Sequence, residues 1–330
     1  MRTPTGRGTT RLRTPKREAC IRTGLLLIGL TGCFAGPPTD TQRYAALADA
    51  RQVSLARGTI SADGEGVDDA LIRLLVDDPR TLSLTDLGLA HNHITAAGLG
   101  VLLASAKSEG LQVLDLEDNP IGDAGLLAIA SSPRLATLEV LQLAHTGVGP
   151  EGASALAGAA PNALALRQLD LGQNALGDAG ALALASLPVA ARLSLEDAQI
   201  SATGARALLE TARCPRLLLG GNALGSGSLA GLTKLSPSLE VLVLTRTRIG
   251  AGDAVTLASL PAPALRELDL RGNALGDEGV RALAKARWFG QLTRLDIADT
   301  DATSVSLEAL QALWGERGGL VVKGGSTTAQ

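Results

Sequence analysis

Aromatic side chains are nearly absent from this sequence. Only five of its 330 residues are aromatic, while 45% are hydrophobic. A core built from this chain must therefore be packed almost wholly from Leu, Ala, Val and Ile. Single-stranded nucleic acids are bound by stacking bases on aromatic rings, so the scarcity of rings argues against that function. The five aromatic residues are Phe34, Tyr44, Trp288, Phe289 and Trp314.

Cysteine and histidine are also rare, with three of each. Cys20, Cys33 and Cys214 are too few and too widely spaced for a disulfide framework or a zinc site. The chain contains no GxSxG elbow, no P-loop and no HExxH motif. Cys214 occupies a leucine position of the repeat described below, which predicts a small buried hydrophobe rather than a reactive thiol. The sequence predicts neither an enzyme nor a cofactor.

The net charge of −3 hides an asymmetry between the N-terminus and the rest. Residues 1–32 hold seven Lys/Arg and one acid, a net charge of +6, which leaves 23 basic against 32 acidic side chains, or −9, for residues 33–330. An acidic body repels phosphate, so nucleic acid is not expected as a partner.

The basic N-terminal stretch leads into a short apolar run, residues 24–30, and then Thr31-Gly32-Cys33. A basic region before a short apolar run is typical of a secretory signal, and the run is too short to span a bilayer. Leu30-Thr31-Gly32-Cys33 resembles the lipobox of bacterial lipoproteins. That resemblance implies a signal peptide over 1–32, acylation of Cys33, and an extracytoplasmic, membrane-anchored protein of the outer membrane or cell surface. The turn-rich segment that follows predicts a tether over 33–50.

One pattern repeats through the rest of the chain. Residues 111–125 read LQVLDLEDNPIGDAG, residues 166–180 read LRQLDLGQNALGDAG, and residues 265–279 read LRELDLRGNALGDEG. The shared frame is LxxLxLxxNx(L/I)GxxG, followed by an Ala/Leu-rich helical stretch. The Asn position recurs every 24–28 residues, and a weaker copy at 53–60 aligns with 87–94. The Asn position falls at Asn92, Asn119, Thr146, Asn174, Ala198, Asn222, Thr247, Asn273 and Thr300.

Each residue type in the frame has a structural reason. In LxxLxL a period of two points the last two leucines inward, which predicts a short strand. Glycine allows close backbone packing before the helix, and the aspartates of Gly-Asp, such as Asp123 and Asp178, favour a helix start. An Asn amide both donates and accepts hydrogen bonds, so it satisfies the backbone of the turn after the strand and links neighbouring repeats. This predicts a structural ladder of Asn92, Asn119, Asn174, Asn222 and Asn273.

Ala198 occupies an Asn position with only a methyl group. We therefore expect the ladder to be locally open at this residue. On this reasoning, Ala198→Asn is tolerated or stabilising.

The frame resembles the leucine-rich repeat family, specifically its ribonuclease-inhibitor-like subclass, over roughly residues 53–322. This resemblance implies an α/β fold: a right-handed solenoid, or horseshoe, with a parallel sheet on its concave face and helices on its convex face. We expect a domain over 51–322 of about ten repeats, the first degenerate, with a C-terminal cap over 305–322 and a flexible tail over 323–330. Trp288, Phe289 and Trp314 are expected to seal that cap.

Two of the three histidines share a register. His91, Asp118 and His145 each precede the Asn position in consecutive repeats, and adjacent strands lie about 4.8 Å apart. The sequence therefore predicts a His-Asp-His row along the rim of the concave sheet. It is a weak candidate for a zinc site; the alternative, solvated residues joined by hydrogen bonds, is favoured.

The outward strand positions predict a binding surface on the concave face. Leu218, Val241 and Val243 are expected to form an apolar patch facing solvent, with Gly220 and Gly221 leaving space beside it. Charged side chains are expected to frame this patch, with Arg216, Arg246 and Arg271 on one side and Asp170, Glu196 and Asp197 on the other.

These features together predict a lipid-anchored, extracytoplasmic leucine-rich repeat protein that binds a protein or peptide through its concave face. One alternative is an intracellular regulatory protein resembling the GTPase-activating members of the family, although the residue those proteins need has no match here. Another is a glycan- or cell-wall-binding envelope module, which would need exposed aromatics. A third is a purely structural envelope protein without a saturable partner.

Overall fold

A computed structural model describes residues 37–49, 53–54, 58–162, 165–316 and 318–322. The predicted signal peptide, Cys33 and the tail over 323–330 lie outside the described residues. Within that part of the chain no helix is long and apolar enough to cross a membrane.

Short strands alternate with helices along the chain. The strands are β1 (Val53–Ser54), β2 (Thr59–Ser61), β3 (Asp86–Gly88), β4 (Val113–Asp115), β5 (Val140–Gln142), β6 (Gln168–Asp170), β7 (Arg192–Ser194), β8 (Arg216–Leu218), β9 (Val241–Val243), β10 (Glu267–Asp269), β11 (Arg294–Asp296) and β12 (Leu320–Val321). The helices are α1 (Asp40–Ala48), α2 (Asp69–Asp77), α3 (Ala96–Ala104), α4 (Gly122–Ser131), α5 (Pro150–Gly158), α6 (Gly177–Leu184), α7 (Ala202–Thr211), α8 (Ala251–Ser259), α9 (Gly276–Ala284) and α10 (Ser304–Trp314).

The strands form one sheet in chain order, parallel throughout except for the β1–β2 pair. Residues of equal repeat position pair directly; for example, Leu114 faces Leu141 and Asp115 faces Gln142. The central leucine of each three-residue strand from β3 to β11 lies on the helix side of the sheet and is at most 2% exposed. Successive parallel strands joined through helices on one side give a right-handed open horseshoe, as expected from the repeat.

The N-terminal end of the solenoid differs from expectation in two ways. Residues 40–48, predicted as tether, form helix α1, whose Tyr44 is buried and donates a hydrogen bond from its hydroxyl to Asp78 at 2.9 Å. Burial, together with this bond to a carboxylate, raises the pKa of Tyr44 to about 12. The first repeat was aligned at 53–60, which is wrong: Ile60 pairs with Leu87, so its parallel strand is β2, and β1 folds back on it antiparallel.

The C-terminal end is closed by aromatic side chains. Trp288, Phe289 and Trp314 are all less than 7% exposed, and the rings of Phe289 and Trp314 meet edge to face with centroids 5.5 Å apart. Their predicted role in sealing the core is confirmed by this burial. Strand β12 adds to the sheet edge beside β11.

Two kinds of turn alternate after the strands from Asn119 onward. After an Asn the chain forms a tight turn, with a glycine at positive φ three residues later. That glycine donates its N–H to the carbonyl of the residue at the Asn position of the next repeat, as Gly122 does to Thr146. After Thr146, Ala198 or Thr247 the helix instead begins from an extended residue. Only glycine adopts the first turn without strain. The glycines concerned are Gly122, Gly177, Gly225 and Gly276.

The Asn ladder joins each tight turn to the alternate turn of the preceding repeat. The Asn174 side-chain amide donates to the carbonyls of Leu143 and Leu171, at 2.7 and 3.1 Å, and its oxygen accepts from the N–H groups of Thr146 and Val148. Asn222 and Asn273 repeat this pattern. Buried backbone groups need such partners, so the predicted structural role of the ladder agrees with these bonds.

Ala198 is not an open rung. It lies in the series of alternate turns with Thr146 and Thr247, and its own N–H is bonded by the Asn222 oxygen at 3.0 Å. The preceding tight turn at Asn174 bonds through Gly177 to the Ala198 carbonyl instead of to a side chain. An Asn placed at 198 would therefore lack the N–H partners that the ladder residues have. The prediction that Ala198→Asn stabilises the protein is wrong for this reason.

The aspartates of the Gly-Asp pairs bond to the next repeat rather than to their own helix. Helix α6 begins without a side-chain cap, whereas Asp178 accepts hydrogen bonds from the N–H groups of Ser201 and Gly204 at 2.8 and 3.1 Å. A Cβ at Gly204 would lie only 2.7 Å from the Asp178 carboxylate. Glycine at this position therefore makes room for the preceding repeat's carboxylate, and this local packing links the helices along the convex face.

One repeat has no helix. Between β8 and β9, residues 223–236 form a chain of turns with glycines at positive φ. Asp253 of the following helix reaches back and accepts N–H bonds from Gly227, Leu229 and Gly250, each at 2.8–2.9 Å, and its side chain is fully buried. The expectation that every repeat carries an outer helix is wrong here, because GSGS replaces the GDAG that begins helices α4 and α6.

Candidate functional site: the concave face

The strand register expected from the sequence is confirmed by the pairing of neighbouring strands. The central outward column runs through Ser194, Leu218, Val243 and Asp269, each paired with the next. The column before it contains Arg192, Arg216, Val241, Glu267 and Arg294 in the same order. These two columns bring the predicted apolar patch together on adjacent strands.

The apolar patch forms the floor of a cavity instead of standing out into solvent. Leu218 and Val243 are partly buried, and Val241 is only 7% exposed, so the expectation that all three face solvent is wrong for Val241. Val241 pairs with Arg216 on one neighbouring strand and with Glu267 on the other, and the charged groups of these two side chains approach to 3.9 Å. The cavity has a volume of about 200 Å³, and charged residues complete its lining: Arg192, Arg216, Arg294, Glu267 and Asp269.

The predicted arginine border is only partly correct. Arg216 lines the cavity, and its guanidinium group lies 3.9 Å from the carboxylate of Glu267. Arg271 instead forms an ion pair with Asp269 of the central column, at 2.9 Å. Arg246 lies at the turn after strand β9, where its backbone has a positive φ and its side chain packs against Gly272.

Two arginines that the sequence reasoning missed, Arg192 and Arg294, line the cavity directly. They belong to the first outward column, whose register the repeat frame already defined. Attention to that column, rather than to the two nearer the turns, would have found them.

The predicted acidic border exists, but the space beside it is filled. The Glu196 side chain lies against Gly220, and a Cβ on Gly220 would be 2.7 Å from the Glu196 carboxylate. The Asp197 side chain lies against Gly221 in the same way. The expectation that these glycines leave the surface open is therefore wrong: they make room for acids of the preceding repeat. Asp170 bonds the N–H of Gly172 at 2.9 Å, and none of the three acids lines the cavity.

Two concave carboxylates have an elevated pKa. Burial raises the pKa of Glu196, and the nearby charge of Asp170 adds to the effect, although Arg192 opposes it. Burial likewise raises the pKa of Asp115, with a further contribution from Asp63. Acids in this condition lack full compensation from neighbouring cations. The middle of the concave face is therefore negative, in contrast to the arginine-lined edge of the cavity.

The His-Asp-His row is present with the expected geometry. Asp118 accepts from the Nδ1 atoms of His91 and His145 at 3.0 and 2.7 Å, and all three side chains are about half exposed. The hydrogen bond to Asp118 raises the pKa of His91, and the two imidazoles together lower the pKa of Asp118. The row lines a broad cleft of about 570 Å³ at the turns.

The geometry of this row matches solvated, hydrogen-bonded residues, because each Nδ1 atom points at a carboxylate oxygen that would otherwise be free to bind a metal. Among the described residues no group of three His, Cys, Asp or Glu side chains is placed to hold a metal ion. Cys214 is buried, and burial raises the pKa of its thiol to about 11. The prediction that it packs as a hydrophobe is confirmed, since the reactive form is the thiolate.

The sequence matches a family model described as a leucine-rich repeat, at residues 109–130, 134–157, 165–185 and 263–284. A curated relative, ribonuclease inhibitor from Sus scrofa, is 33% identical over 175 residues. The match covers 48% of this chain but only 38% of the relative, so the chain spans well under half of that protein's length.

Two solved structures match part of this chain. The Rad7 and Elc1 complex from yeast matches with a TM-score of 0.47 and 16% identity, covering 81% of this chain and 73% of that one. A plant peptide hormone receptor, RGFR1 in complex with RGF2, matches with a TM-score of 0.41 and 15% identity, covering 74% of this chain and 40% of the receptor. The four matched segments contain leucine-rich repeats, and the open parallel horseshoe is the fold that such repeats form.

Proposed function

We propose that the protein binds another protein or peptide through its concave face, at the cavity floored by Leu218, Val241 and Val243. The observation that supports this most directly is the cavity itself, which joins an apolar floor to a charged wall. Binding energy at protein interfaces is concentrated in such apolar pockets, while surrounding charges orient the partner.

Other features favour protein binding over the alternatives. The described aromatic residues are buried in the core, so none of them is available to stack on a sugar. Leucine-rich repeats are built for interaction rather than catalysis, and the solved structures above include a receptor bound to a peptide and a two-protein complex.

We further propose that this binding takes place outside the cytoplasm, with the protein held to a membrane by a lipid on Cys33. The support is the sequence alone: a basic stretch, an apolar run and Leu30-Thr31-Gly32-Cys33. One acyl chain binds a membrane only weakly, but several on one cysteine hold a protein firmly.

Truncation of the cavity floor tests the binding site. Partners are captured from the native envelope with the tagged protein, and the strongest is then titrated against Leu218→Ala and Val243→Ala. Each variant is expected to weaken binding by about 1–2 kcal/mol, because a floor contact is lost. Thermal melts should change little, since these side chains are only partly buried.

Leu182→Ala is the matched control, because Leu182 lies on the convex helix α6 and is 52% exposed. It should leave binding unchanged. If Leu182→Ala weakens binding and the floor variants do not, the convex face is the binding surface and the proposal is wrong.

The anchor is tested separately with Cys33→Ser. Metabolic labelling with a fatty acid should mark the wild-type protein and the control Cys214→Ser, but not Cys33→Ser, which should leave the membrane fraction. Equal labelling of all three proteins, or a wild-type protein found wholly in the cytosol, would overturn the anchor and support the intracellular alternative.

A further inference from the structure

The cavity wall carries more positive than negative charge. Its lining holds three guanidinium groups and two carboxylates. One of the carboxylates, Asp269, already accepts two hydrogen bonds from Arg271, one from its backbone N–H and one from its guanidinium group. The other, Glu267, lies at a long 3.9 Å from Arg216.

Arg192 and Arg294 form no ion pair, although the charge of Arg192 acts on Glu196 from a longer distance. Within the part of the chain that the structure describes, no carboxylate lies within ion-pair distance of either guanidinium. Arg294 is exposed, and Arg192 is partly buried beside the apolar floor. Both guanidinium groups therefore keep N–H donors that an anionic group of a ligand can use.

This local charge is opposite to that of the protein as a whole. Residues 33–330 carry 23 basic and 32 acidic side chains, and the middle of the concave face holds acids whose pKa is raised. Association is guided by complementary potentials, so a positive site on a negative surface favours an anionic group at that place.

We infer that the cavity binds an acidic-aliphatic segment of the partner, in which an aliphatic side chain packs on Leu218 and Val243 while an adjacent carboxylate pairs with Arg192 or with Arg294, which line opposite ends of the cavity. This rests on the proposed binding function and specifies its partner. Guanidinium groups pair well with carboxylates because their two parallel N–H donors match the two oxygens.

The size of the cavity agrees with this occupant. A volume of about 200 Å³ accommodates one aliphatic side chain and a carboxylate, not the whole face of a helix. The acids Asp170, Glu196 and Asp197 lie outside the lining. A basic segment could be attracted to them, but it would have to place its cations away from the apolar floor.

The test begins with a randomised twelve-residue peptide library, panned on the purified full chain and counter-selected on the cavity-blocking variant Val243→Trp. Peptides that survive should carry Asp or Glu next to Leu, Ile or Val. The consensus peptide is then synthesised with its acid as Asp or Glu, as the matching amide, and as Lys, and each form is titrated by fluorescence polarisation.

The acidic peptide should bind at least tenfold more tightly than its amide or lysine form. The double variant Arg192→Gln and Arg294→Gln should remove that preference. Arg287→Gln, at an exposed arginine outside the cavity, is the control and should retain it.

The outcomes separate this inference from the function it rests on. If the selected peptides are basic, and Glu196→Gln rather than the arginine double variant weakens them, the concave site stands and the acidic partner is wrong. If acidic peptides bind equally well to the arginine double variant, the inference is likewise wrong. If no peptide is enriched over the cavity-blocking variant, both the cavity and the acidic partner are excluded.

Discussion

Two repeats of the solenoid, those of Asn174 and Asn222, share their inner parts and differ in their outer parts. On the inner side both have a three-residue strand. Each Asn amide donates to one leucine carbonyl of its own repeat and one of the preceding repeat, and its oxygen accepts from two N–H groups of the preceding repeat. On the outer side one continues into helix α6, and the other continues into turns.

Their links to neighbouring repeats also run in opposite directions. Asp178 bonds forward to the start of helix α7, whereas the turns after Asn222 are bonded by Asp253 from the next repeat. The difference teaches that strand and ladder define the register, while the outer element is replaceable as long as its backbone groups find partners. Each prediction below tests one part of that comparison.

The largest expected effect is at Asp253. Asp253→Ala removes the acceptor of three N–H groups, two of them on buried residues, and should lower the free energy of unfolding by about 3 kcal/mol. Asp178→Ala is the matched variant, and should cost only about 1 kcal/mol because Ser201, which donates to it, is exposed and water can replace the carboxylate there. Chemical denaturation measures both. Equal losses would mean that the turns do not depend on Asp253.

The ladder itself should be insensitive to the outer element. Asn174→Ala and Asn222→Ala each strand the same buried backbone groups, so each should cost about 2–3 kcal/mol, and the two losses should agree closely. Denaturant melts of the two variants give the comparison directly. A much smaller loss for Asn222→Ala would show that its ladder depends on the missing helix.

A gain is expected at Ala198. Thr146 and Thr247, at the equivalent position, donate from their hydroxyls to the carbonyls of Leu143 and Leu244 at 2.7 and 2.8 Å. Ala198→Thr should add this bond to Leu195 and raise the free energy of unfolding by about 0.5–1.5 kcal/mol. Ala198→Asn should not, because its oxygen would find no free N–H. If Ala198→Asn stabilises the protein as much as Ala198→Thr, the alternation of turns does not determine which residue is favoured at position 198.

The smallest effect concerns pH. Burial alone would raise the pKa of Asp178, but hydrogen bonds from the hydroxyl and N–H of Ser201 and from the N–H of Gly204 outweigh it and hold the pKa below its ordinary value. Its contribution is therefore complete above the unfolded pKa of about 4 and is lost as pH falls through the lower folded value.

The variant Asp178→Asn isolates this contribution. The difference in unfolding free energy between wild type and Asp178→Asn should be constant from pH 7 to pH 5 and shrink as pH falls towards 3. Melts at a series of pH values measure it. A difference that grows on acidification would contradict the sign of the pKa shift.

The sheet could be predicted from the sequence because its rule is local and periodic. Leucines at a period of two and an Asn at fixed offset define each strand and its register, and the pairing of Leu114 with Leu141 follows. The repeat frame predicts a helix after every Asn position, including Asn222, whereas Gly225-Ser226-Gly227 forms turns. The first strand was misplaced because Val53 and Ile60 both fit the leucine position, and only packing against β3 chooses between them.

The candidate site was predicted in outline and missed in detail. The column of Leu218 and Val243 followed from the register, but the direction in which long side chains lean depends on neighbouring repeats. Glu196 turns over Gly220, Arg271 turns to Asp269, and Arg192 and Arg294 face the apolar floor. The repeat period predicts on which strand and face a residue lies. Which charged side chains pair with each other depends on three-dimensional packing, which the period does not describe.

The alternation of turns makes a pair of repeats, rather than a single one, the unit by which this chain can be lengthened or shortened. Removal of the repeat of Ala198 would bring the tight turn of Asn174 against that of Asn222, and the Asn222 oxygen would lose the N–H groups of Ala198 and Ile200 from which it accepts. Removal of residues 172–219 as a block would restore the match. Duplication or deletion in steps of about fifty residues therefore conserves the backbone bonding, and odd steps break it.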